Sequence, residues 1–313
     1  MTRPARTPYD GSSTPFTIGL KPFDPDNWIE LDGDLEPYLA EKDRLFGTVP
    51  EQVFMARSDP VDAQREVLDA LAGYLPERFP EIYRREGDTM AVGACGRCVT
   101  ISPNEPAPLK TAAKLVPEDL VLMRKCADGW RLVAASLCFP SSWSLAEKFD
   151  RPMEVIHTTV PAFGPGTRMA AMIARIFDNL KVGVPAERMN WSLQENAELY
   201  HPRSKKERDT QADAGGGFLA GLDPQNIHIR VERQTLTRMP VSGDILFTIR
   251  IYVDPVLRLT GNDAGPDLAR GLEKQLGDLN ADQLAYKGLT EGRDRLTAWL
   301  NEQASKRQKT PAL

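Results

Sequence analysis

The chain has few of the side chains that most often bind metals: three histidines and four cysteines among 313 residues. The cysteines comprise one C-x-x-C pair, Cys95 and Cys98, and two single residues, Cys126 and Cys138. A structural zinc site is disfavoured because no second ligand pair has matching spacing. A redox disulfide is disfavoured because Gly, Pro and Ser flank the motif where a strand and a helix would be needed. We interpret Cys95 and Cys98 as two incidental thiols in a loop.

The common cofactor motifs are also missing. No G-x-G-x-x-G follows a strand, and the chain has no Walker loop, no C-x-x-C-H and no H-E-x-x-H. These absences exclude the usual ways of binding nucleotides, of attaching a cofactor covalently and of placing zinc on a helix. Because these motifs are missing, the sequence gives no sign of a fold that binds NADPH.

Neither sign of charge dominates the sequence. It has 39 basic and 44 acidic residues, well mixed, which give a formal net charge of −5 and a pI near 5.5. This distribution gives no basic patch of the kind that binds nucleic acid. No run approaches the ~18 consecutive apolar residues of a membrane span, and residues 1–16 lack the apolar core of a secretory signal. We therefore expect a cytoplasmic protein with neither nucleic acid nor membrane as a partner.

Several segments have the apolar spacing of amphipathic helices. One helix is predicted to begin at Ser58 or Asp59, with Pro60 in its first turn. A second occupies much of residues 164–183, and two more close the chain within residues 266–303. The second helix carries an apolar stripe: Met169, Met172, Ile173, Ile176 and Leu180. Such a stripe can wall a cofactor, although it more often faces an ordinary core.

Strands are predicted around three apolar runs. Residues 130–139 alternate so that both faces of a strand would be buried. Residues 226–236 and 244–253 form a hairpin whose turn contains Pro240 and Gly243.

Three other segments lack this regularity. Residues 86–110 contain Gly, Pro and small polar side chains, and are predicted to be a surface insertion. Residues 201–218 combine a charge run with three glycines and are predicted to be a mobile loop. Residues 306–313 are predicted to be a frayed tail.

The hairpin gathers polar side chains. On its first strand His228, Arg230, Glu232 and Gln234 project from one side, and on its second strand Thr248, Arg250 and Tyr252 do. We predict that one sheet face collects five of them: Arg230, Glu232, Gln234, Arg250 and Tyr252. One interpretation is a solvent-exposed face whose charged residues form cross-strand ion pairs. The other is a face that binds a ligand through its arginines and its carboxylate.

His157 is the histidine most suited to bind a metal. It follows Val155 and Ile156 and precedes Val160, so its imidazole is expected to be neutral, the form that binds iron. A packed core histidine is the alternative interpretation. His228 is the rival ligand because it shares a strand face with Arg230, whereas His201 lies in the polar loop and has little claim.

Several blocks of the chain from about Leu115 onward occur in a characteristic order. They are LVPEDLVLM, CFPSSWSLAEK, RPMEVIHTTVPAF, the RMNW cluster at residues 188–191, RVERQTLTRMP, ILFTIRIYVDP and AYKGL at residues 285–289. In these blocks the chain resembles the alpha subunit of the haem-dependent oxidative N-demethylases. It departs from that resemblance at Asp150, where glycine is expected, and in residues 86–110, which match no block.

The resemblance implies an α+β fold: a PAS-like antiparallel sheet with flanking helices, enlarged by N- and C-terminal helical extensions. It implies one haem-binding domain over residues 1–313 with an N-terminal helical extension (about 1–85), a variable insertion (about 86–113) and C-terminal helices (about 265–305). Enzymes of this family hold haem b and use O2 to demethylate a small secondary amine such as dimethylamine, releasing formaldehyde. Electrons come from separate reductase subunits that carry FMN, a 2Fe-2S centre and NADPH.

Carried over to this chain, the resemblance implies His157 as the proximal ligand of the haem iron. Three arginines are implied near the haem propionates: Arg230, Arg233 and Arg250. Glu232 and Tyr252 are implied on the substrate side, with Glu232 as the partner of the amine. A haem-binding PAS-like sensor without turnover, and a haem-free protein whose His157 is a core residue, are the alternatives.

Overall fold

The structure is a computed structural model, and it describes residues 4–93, 96–202, 223, 226–260 and 262–305. The predicted mobile loop, apart from its first two residues, lies outside the described residues, as do the predicted tail at 306–313 and Cys95. Among the cysteines that the structure describes, Cys98 is exposed, Cys126 is half-buried and Cys138 is buried, and all three are free thiols.

Seven antiparallel strands form the main sheet, in the order β1-β8-β9-β10-β6-β7-β2. Its strands are β1 (Lys21–Pro22), β2 (Phe54–Ala56), β6 (Asp119–Cys126), β7 (Gly129–Ser136), β8 (Ala186–Gln194), β9 (His228–Arg238) and β10 (Ile245–Pro255). A second sheet has three strands: β3 (Tyr83–Glu86), β4 (Thr89–Val92) and β5 (Arg97–Thr100). The predicted hairpin is confirmed as β9 and β10, and the apolar strand at 130–139 as β7.

Ten helices accompany these sheets within the described ranges. They are α1 (Leu35–Thr48), α2 (Pro50–Val53), α3 (Val61–Arg78), α4 (Pro108–Ala113), α5 (Leu145–Lys148), α6 (Met153–Ile156), α7 (Arg168–Asn179), α8 (Gly265–Gly277), α9 (Ala281–Lys287) and α10 (Arg293–Ser305). The combination of helices with antiparallel sheets confirms the α+β class. The four predicted helices are found as α3, α7, α8 and α10, whereas α9 was not predicted.

Apolar side chains form two cores. The larger core joins α1, α3 and α4 to β6 and β7, and its fully buried members include Leu39, Leu68 and Leu71. The smaller core joins β8 and β9 to the C-terminal helices, through residues such as Trp191 and Leu272. Burial of each such side chain stabilises the fold by roughly 2 kcal/mol before conformational entropy is counted. The C-terminal helices thus pack against the main sheet.

Two local predictions need correction. Residues 86–110 do not lie only at the surface, because Met90, Val92 and Val99 of the three-stranded sheet are buried in the larger core. The pairing partners in this sheet are separated by short turns, and alternation over only four residues is too brief a signal to detect. At α3 the N-cap is Pro60, not Ser58 or Asp59, and no side chain caps the helix.

Candidate functional site

The register of the β9–β10 hairpin decides which side chains share a face. Arg250 pairs with Arg233, and Tyr252 pairs with Val231. Directly paired residues of antiparallel strands point to the same side of the sheet. We name this side of β8, β9 and β10 the packed face; it carries Trp191, Val231, Arg233, Arg250 and Tyr252.

The alternate residues of β8 and β9 point to the other side, which we name the open face. It carries Arg188, Asn190, Arg230, Glu232 and Gln234, and the β10 partners of the last three are apolar. The prediction that Arg230, Glu232, Gln234, Arg250 and Tyr252 share one face is therefore wrong. The register set by the turn pairs even-numbered residues of β9 with odd-numbered residues of β10. The even-numbered residues of the two strands therefore point to opposite faces, because a one-residue change of register moves a side chain to the other face.

Both arginines of the packed face have complete structural roles. Arg233 Nε donates to Glu187 Oε2 at 2.8 Å, and its terminal nitrogens donate to two backbone carbonyls of the N-terminal segment. Arg250 Nη2 donates to the two oxygens of Asp32 at 2.8 and 2.9 Å. Each guanidinium is buried against an acidic partner, which is the arrangement that a buried cation needs.

Tyr252 belongs to the same structural network. Its hydroxyl donates to the carboxylate of Glu30, and burial raises its pKa. The guanidinium of Arg250 lies between two rings, 4.1 Å from the centroid of Tyr38 and 4.7 Å from that of Tyr252. The structure therefore places Arg233, Arg250 and Tyr252 away from the face that carries Glu232.

The open face differs because its polar side chains are only half-buried by the described residues. They are Arg188, Asn190, Ser192, Glu232 and Gln234. On this face Arg188 Nε is buried and has no hydrogen-bond partner in the part of the chain that the structure describes. An unsatisfied buried donor of this kind indicates a place for an acceptor from a ligand.

Arg230 and Glu232 form the centre of the open face. Arg230 is 0% exposed, and its Nε lies 3.6 Å from Glu232 Oε1. Its terminal nitrogens donate to the carbonyls of Leu199 and Phe139 at 3.2 and 2.5 Å. Glu232 thus has one neutralising partner, held rigidly by the backbone.

Three further cations surround Glu232. Burial lowers the pKa of Lys148 and of Lys287 to about 8 and lowers the pKa of Arg188, and in each case the charge of Glu232 opposes the effect of burial. None of the three forms an ion pair with an acidic side chain of the described residues. Glu232 is thus the acidic side chain common to these three cations.

Short, well-capped helices position two of these cations. Ser144 caps α5 through a capping box with Glu147, and Lys148 at the end of this helix places its ammonium 4.2 Å from the ring centroid of Trp143. Asn280 caps α9 in the same way, and the helix ends at a left-handed glycine with φ 72°. Lys287, the last residue of α9, donates to the carbonyl of Trp191 on β8.

His157 immediately follows α6 rather than ending a strand. Its backbone N–H donates to the carbonyl of Met153 at 3.2 Å, and its ring centroid lies 6.4 Å from that of Phe163. Burial, together with the charges of Lys148 and Arg188, lowers the pKa of the imidazole to about 4. The ring is therefore neutral near pH 7, as predicted, and it lies beside the cations of the open face.

A cleft of about 280 Å³ adjoins His157. Its wall is mostly apolar and includes Trp130, Met153, Thr167, Ala170 and Ile173. Thr167 caps α7 by accepting a hydrogen bond from the N–H of Ala170 at 3.2 Å. The predicted apolar stripe of α7 lies beside its most buried residues, Ala170 and Phe177, and stays half-buried. These surfaces could contact a flat apolar ligand.

Two residues with left-handed backbone flank the α6 segment. Asp150 has φ 54° and Ala162 has φ 67°. Asp150 occupies the position at which the resemblance predicted glycine, and the positive φ explains that expectation because glycine adopts it without strain. Aspartate tolerates this conformation better than most residues, and its carboxylate also lies 3.2 Å from Arg57 Nη1.

The other two histidines lie elsewhere. His228 begins β9, four residues and roughly 13 Å along the strand from Glu232, and its Nδ1 lies 3.3 Å from the carbonyl of Asn226. His201 Nε2 lies 3.1 Å from Asn196 Oδ1, and its backbone bridges to Ser141. His157, by contrast, lies close enough to Lys148 and Arg188 for their charges to lower its pKa.

Sequence reasoning missed three residues of this site: Lys148, Arg188 and Lys287. Arg188 and Lys287 lie within the RMNW and AYKGL blocks, and Lys148 ends the CFPSSWSLAEK block, so the signal was present in the resemblance. Periodicity could not find them because each comes from a different element.

The geometry agrees with a comparison to known protein families. A family model described as haem-dependent oxidative N-demethylase, alpha subunit-like, matches residues 19–297. The chain belongs to this family, and the resemblance is confirmed. No cluster of three or more His, Cys, Asp or Glu side chains suited to a bare metal ion occurs in the described ranges, and none of their helices is long and apolar enough to cross a membrane.

Proposed function

We propose that this member of the haem-dependent oxidative N-demethylase alpha subunit-like family holds haem b between the open face and the segment formed by α5, α6 and α7. The observation that carries the proposal is a neutral histidine, His157, beside buried cations that form no ion pair with acidic side chains of the described ranges, apart from Arg230. A neutral imidazole can bind iron, and unpaired cations suit the two propionates of haem. When bound, the haem supplies the activation of O2 that oxidises an N-methyl group.

His157 is the proposed proximal ligand and the proposed metal-binding residue. Its position after α6 is held by the backbone hydrogen bond to Met153. Burial, with a smaller contribution from the charges of Lys148 and Arg188, lowers the pKa of the ring, so the lone pair of a ring nitrogen stays available near pH 7.

Arg188 and Lys148 are the proposed partners of the propionates. Arg188 has an unsatisfied buried Nε, and Lys148 is held over Trp143 without an ion pair in the described part of the chain. They replace Arg233 and Arg250 in this role, because those two arginines already bind Glu187 and Asp32 on the packed face. Arg230 supports the site by holding Glu232.

Glu232 is the proposed acceptor for the N–H of a small secondary amine. Its side chain is 14% exposed, with Arg230 Nε 3.6 Å from Oε1. Gln234 Nε2 donates to Oε2 at 2.9 Å. Tyr252 is not proposed for the substrate side, since its hydroxyl donates to Glu30 on the packed face. The apolar stripe of α7 would limit the access of water to the reacting methyl group.

Reduction of the bound haem would require electrons from a partner protein. We propose flavin- and iron-sulfur-bearing reductase subunits with FMN, a 2Fe-2S centre and NADPH as the electron source, since the chain has no nucleotide-binding motif. A haem-binding sensor without turnover is the second candidate. The half-buried carboxylate of Glu232 favours the enzyme, because a sensor of gaseous ligands needs no carboxylate there.

The test is the absorption spectrum of the protein expressed with haem supply, beside its His157→Ala and His228→Ala variants. We expect a Soret band in the parent and in His228→Ala, and a lost or shifted band in His157→Ala. A band that moves only in His228→Ala would transfer the ligand role to His228. A colourless parent would refute haem binding altogether.

An assay of formaldehyde release distinguishes an enzyme from a sensor. With NADPH and a flavin-containing reductase, the enzyme should release formaldehyde from dimethylamine or a related N-methyl amine in the presence of O2. A haem that is reduced rapidly yet yields no formaldehyde with any N-methyl amine would support the sensor.

A further inference from the structure

Asp119 is a buried carboxylate to which the proposed site gives no role. It begins β6 and is 0% exposed, and its cross-strand partner Ile249 also pairs with Gln234 of β9. Because paired residues share a side of the sheet, Asp119 points to the same side as Gln234 and Glu232. Two strand spacings, roughly 10 Å, separate Asp119 from Gln234. Any effect of Asp119 on Glu232 is therefore expected to act through other residues.

Both oxygens of Asp119 hold the backbone that follows β7. Oδ1 accepts a hydrogen bond from the N–H of Cys138, and Oδ2 accepts one from the N–H of Phe139, each at 2.8 Å. Hydrogen bonds to an ionised carboxylate are among the stronger ones in proteins. The ring of Phe139 is also packed edge-on against Tyr38, with 5.4 Å between the ring centroids. The carbonyl of Phe139 therefore has a well-defined position.

That carbonyl helps to fix the side chain of Arg230. Nη2 donates to the carbonyl of Phe139 at 2.5 Å, and Nη1 donates to the carbonyl of Leu199 at 3.2 Å. With both terminal nitrogens held, Nε stays 3.6 Å from Glu232 Oε1, beyond hydrogen-bond distance. This Nε is buried and has no hydrogen-bond partner in the described part of the chain. A buried donor so close to a carboxylate would form the missing bond if its guanidinium were free to move.

The gap between Arg230 and Glu232 affects one particular oxygen. Gln234 Nε2 donates to Glu232 Oε2 at 2.9 Å, so that oxygen already has a donor. Oε1 faces Arg230 Nε across 3.6 Å, which is an ion pair without a hydrogen bond. Oε1 is therefore the oxygen that can accept the N–H of an amine.

We infer that Asp119 is a positioning residue for the amine site. By fixing the backbone of Phe139, it keeps Arg230 just outside hydrogen-bond distance of Glu232 and leaves Oε1 available to the substrate. This inference rests on the proposed function, in which Glu232 accepts the N–H of the amine. Without the carboxylate of Asp119, the guanidinium of Arg230 would close onto Oε1 and compete with the amine.

The first test measures dimethylamine binding to the haem-loaded parent and to its Asp119→Asn variant by calorimetry. Asparagine has one acceptor oxygen and an NH2 group in place of two acceptors, so one of the two backbone N–H groups loses its partner. We expect the Kd for dimethylamine to rise roughly tenfold, with an unchanged Soret band. An unchanged Kd would overturn the inference.

Asp244→Asn is the matched control for this test. Asp244 is also a buried aspartate of the main sheet, 3% exposed, but it lies just before β10 and binds Arg124 at 2.8 Å. This variant should be less stable in urea without a change in the Kd for dimethylamine. An equal rise of the Kd in both variants would overturn the inference, because loss of any buried carboxylate would then have the same effect.

The second test is a double-mutant cycle, which a purely structural role of Asp119 would not satisfy. Glu232→Gln alone should raise the Kd for dimethylamine at least roughly tenfold. Adding Asp119→Asn to Glu232→Gln should change the Kd by less than about twofold, because the carboxylate that Arg230 would block is gone. Effects of the two substitutions that multiply would overturn the inference.

Arg230→Lys tests the same link if Asp119→Asn does not fold. A single ammonium cannot hold the carbonyls of both Phe139 and Leu199 as the guanidinium does, so we again expect a weaker affinity for dimethylamine that depends on Glu232. An unchanged Kd in Arg230→Lys would overturn the inference. A parent with no Soret band, or a haem-loaded parent that binds no dimethylamine, would refute the proposed function and this inference with it. An affinity that depends on Glu232 but not on Asp119 would refute only this inference.

Discussion

The two faces of one antiparallel sheet treat the same residue types differently. On the packed face Arg233 and Arg250 each bind a carboxylate at 2.8 Å. On the open face Arg188 has no acidic partner among the described residues, although burial lowers its pKa. Partners decide what a buried arginine does: a paired one stabilises the fold, and an unpaired one is available to a ligand.

The supporting layers differ as well. The packed face is covered by the N-terminal segment and by α8, where Gln275 accepts a hydrogen bond from Trp191 at 2.6 Å. On the open face Arg230 donates to the carbonyls of Leu199 and Phe139, which belong to connecting segments and not to a helix. Short, capped elements can position a single side chain without filling the space beside it. We therefore expect substitutions on the packed face to change mainly the stability of the protein, and substitutions on the open face to change mainly ligand binding.

The largest stability loss is expected from Arg250→Met. The change leaves Asp32 without its cation, removes one of three cations near the buried Glu118 and removes the contacts with two tyrosine rings. We expect a loss of about 3 kcal/mol in the free energy of unfolding, measured with urea. Arg84→Met is the matched control, because the Arg84 side chain is 77% exposed. Equal stability of the two variants would remove the structural role assigned to the packed face.

Gly271→Ala tests how closely the packed layer is built. A Cβ at Gly271 would lie 2.5 Å from the carbonyl carbon of Asp10 and 2.6 Å from the carbonyl oxygen of Tyr9, so the N-terminal segment or α8 must shift. We expect the variant to be destabilised by about 2 kcal/mol in urea unfolding. Gly73→Ala in α3 is the control, because nothing lies within 4 Å of its added Cβ, and it should be stabilised by roughly 0.5 kcal/mol. Stabilisation of both variants alike would show that helix propensity, not close packing, governs the position.

Much of this architecture could be predicted from the sequence, and the limit was register. Alternation identified the β9 and β10 strands, and helical spacing identified α3, α7, α8 and α10. No local signal fixed which residue of β10 faces Arg230, since a one-residue slip preserves both alternating patterns while exchanging the faces. The grouping of Arg250 and Tyr252 with Glu232 failed for this reason.

The candidate site was predicted in part. His157 was identified because it follows an apolar run in a chain with few histidines, and Glu232 because it lies among arginines on a strand. Lys148, Arg188 and Lys287 come from α5, β8 and α9, so that only the tertiary structure brings them together. Charge balance around Glu232 is likewise a property of the assembled fold rather than of any segment.

Arg188→Met should have the opposite profile to Arg250→Met. Removing an unpaired buried cation should leave the urea stability of the haem-free protein unchanged or raise it slightly. Haem affinity should fall about tenfold, corresponding to roughly 1.4 kcal/mol, in a transfer experiment with a haem-scavenging protein. Arg188→Lys should recover part of the affinity because it restores the charge. A loss of stability without a loss of haem affinity would place Arg188 among the structural arginines.

The smallest effect concerns a carboxyl behind the packed face. Glu118 Oε1 accepts a hydrogen bond from the N–H of Glu30 at 2.9 Å, Oε2 is buried without a partner in the described residues, and burial raises the pKa of the group to about 7. A carboxyl whose pKa is higher in the folded than in the unfolded state favours folding at low pH, and this contribution is lost as pH rises from about 4.5 to about 7.

Glu118→Gln should therefore raise the stability at pH 8 by roughly 1 kcal/mol and change it little at pH 5. Thermal unfolding of the haem-free protein at both pH values measures this difference, with the exposed Glu81→Gln as control. A loss of stability at pH 8 would mean that the ionised carboxylate, paired with Arg250, contributes more to the packed face than its burial costs. Arg250 would then depend on two carboxylates, Asp32 and Glu118, and the contrast with the unpaired Arg188 would be sharper still.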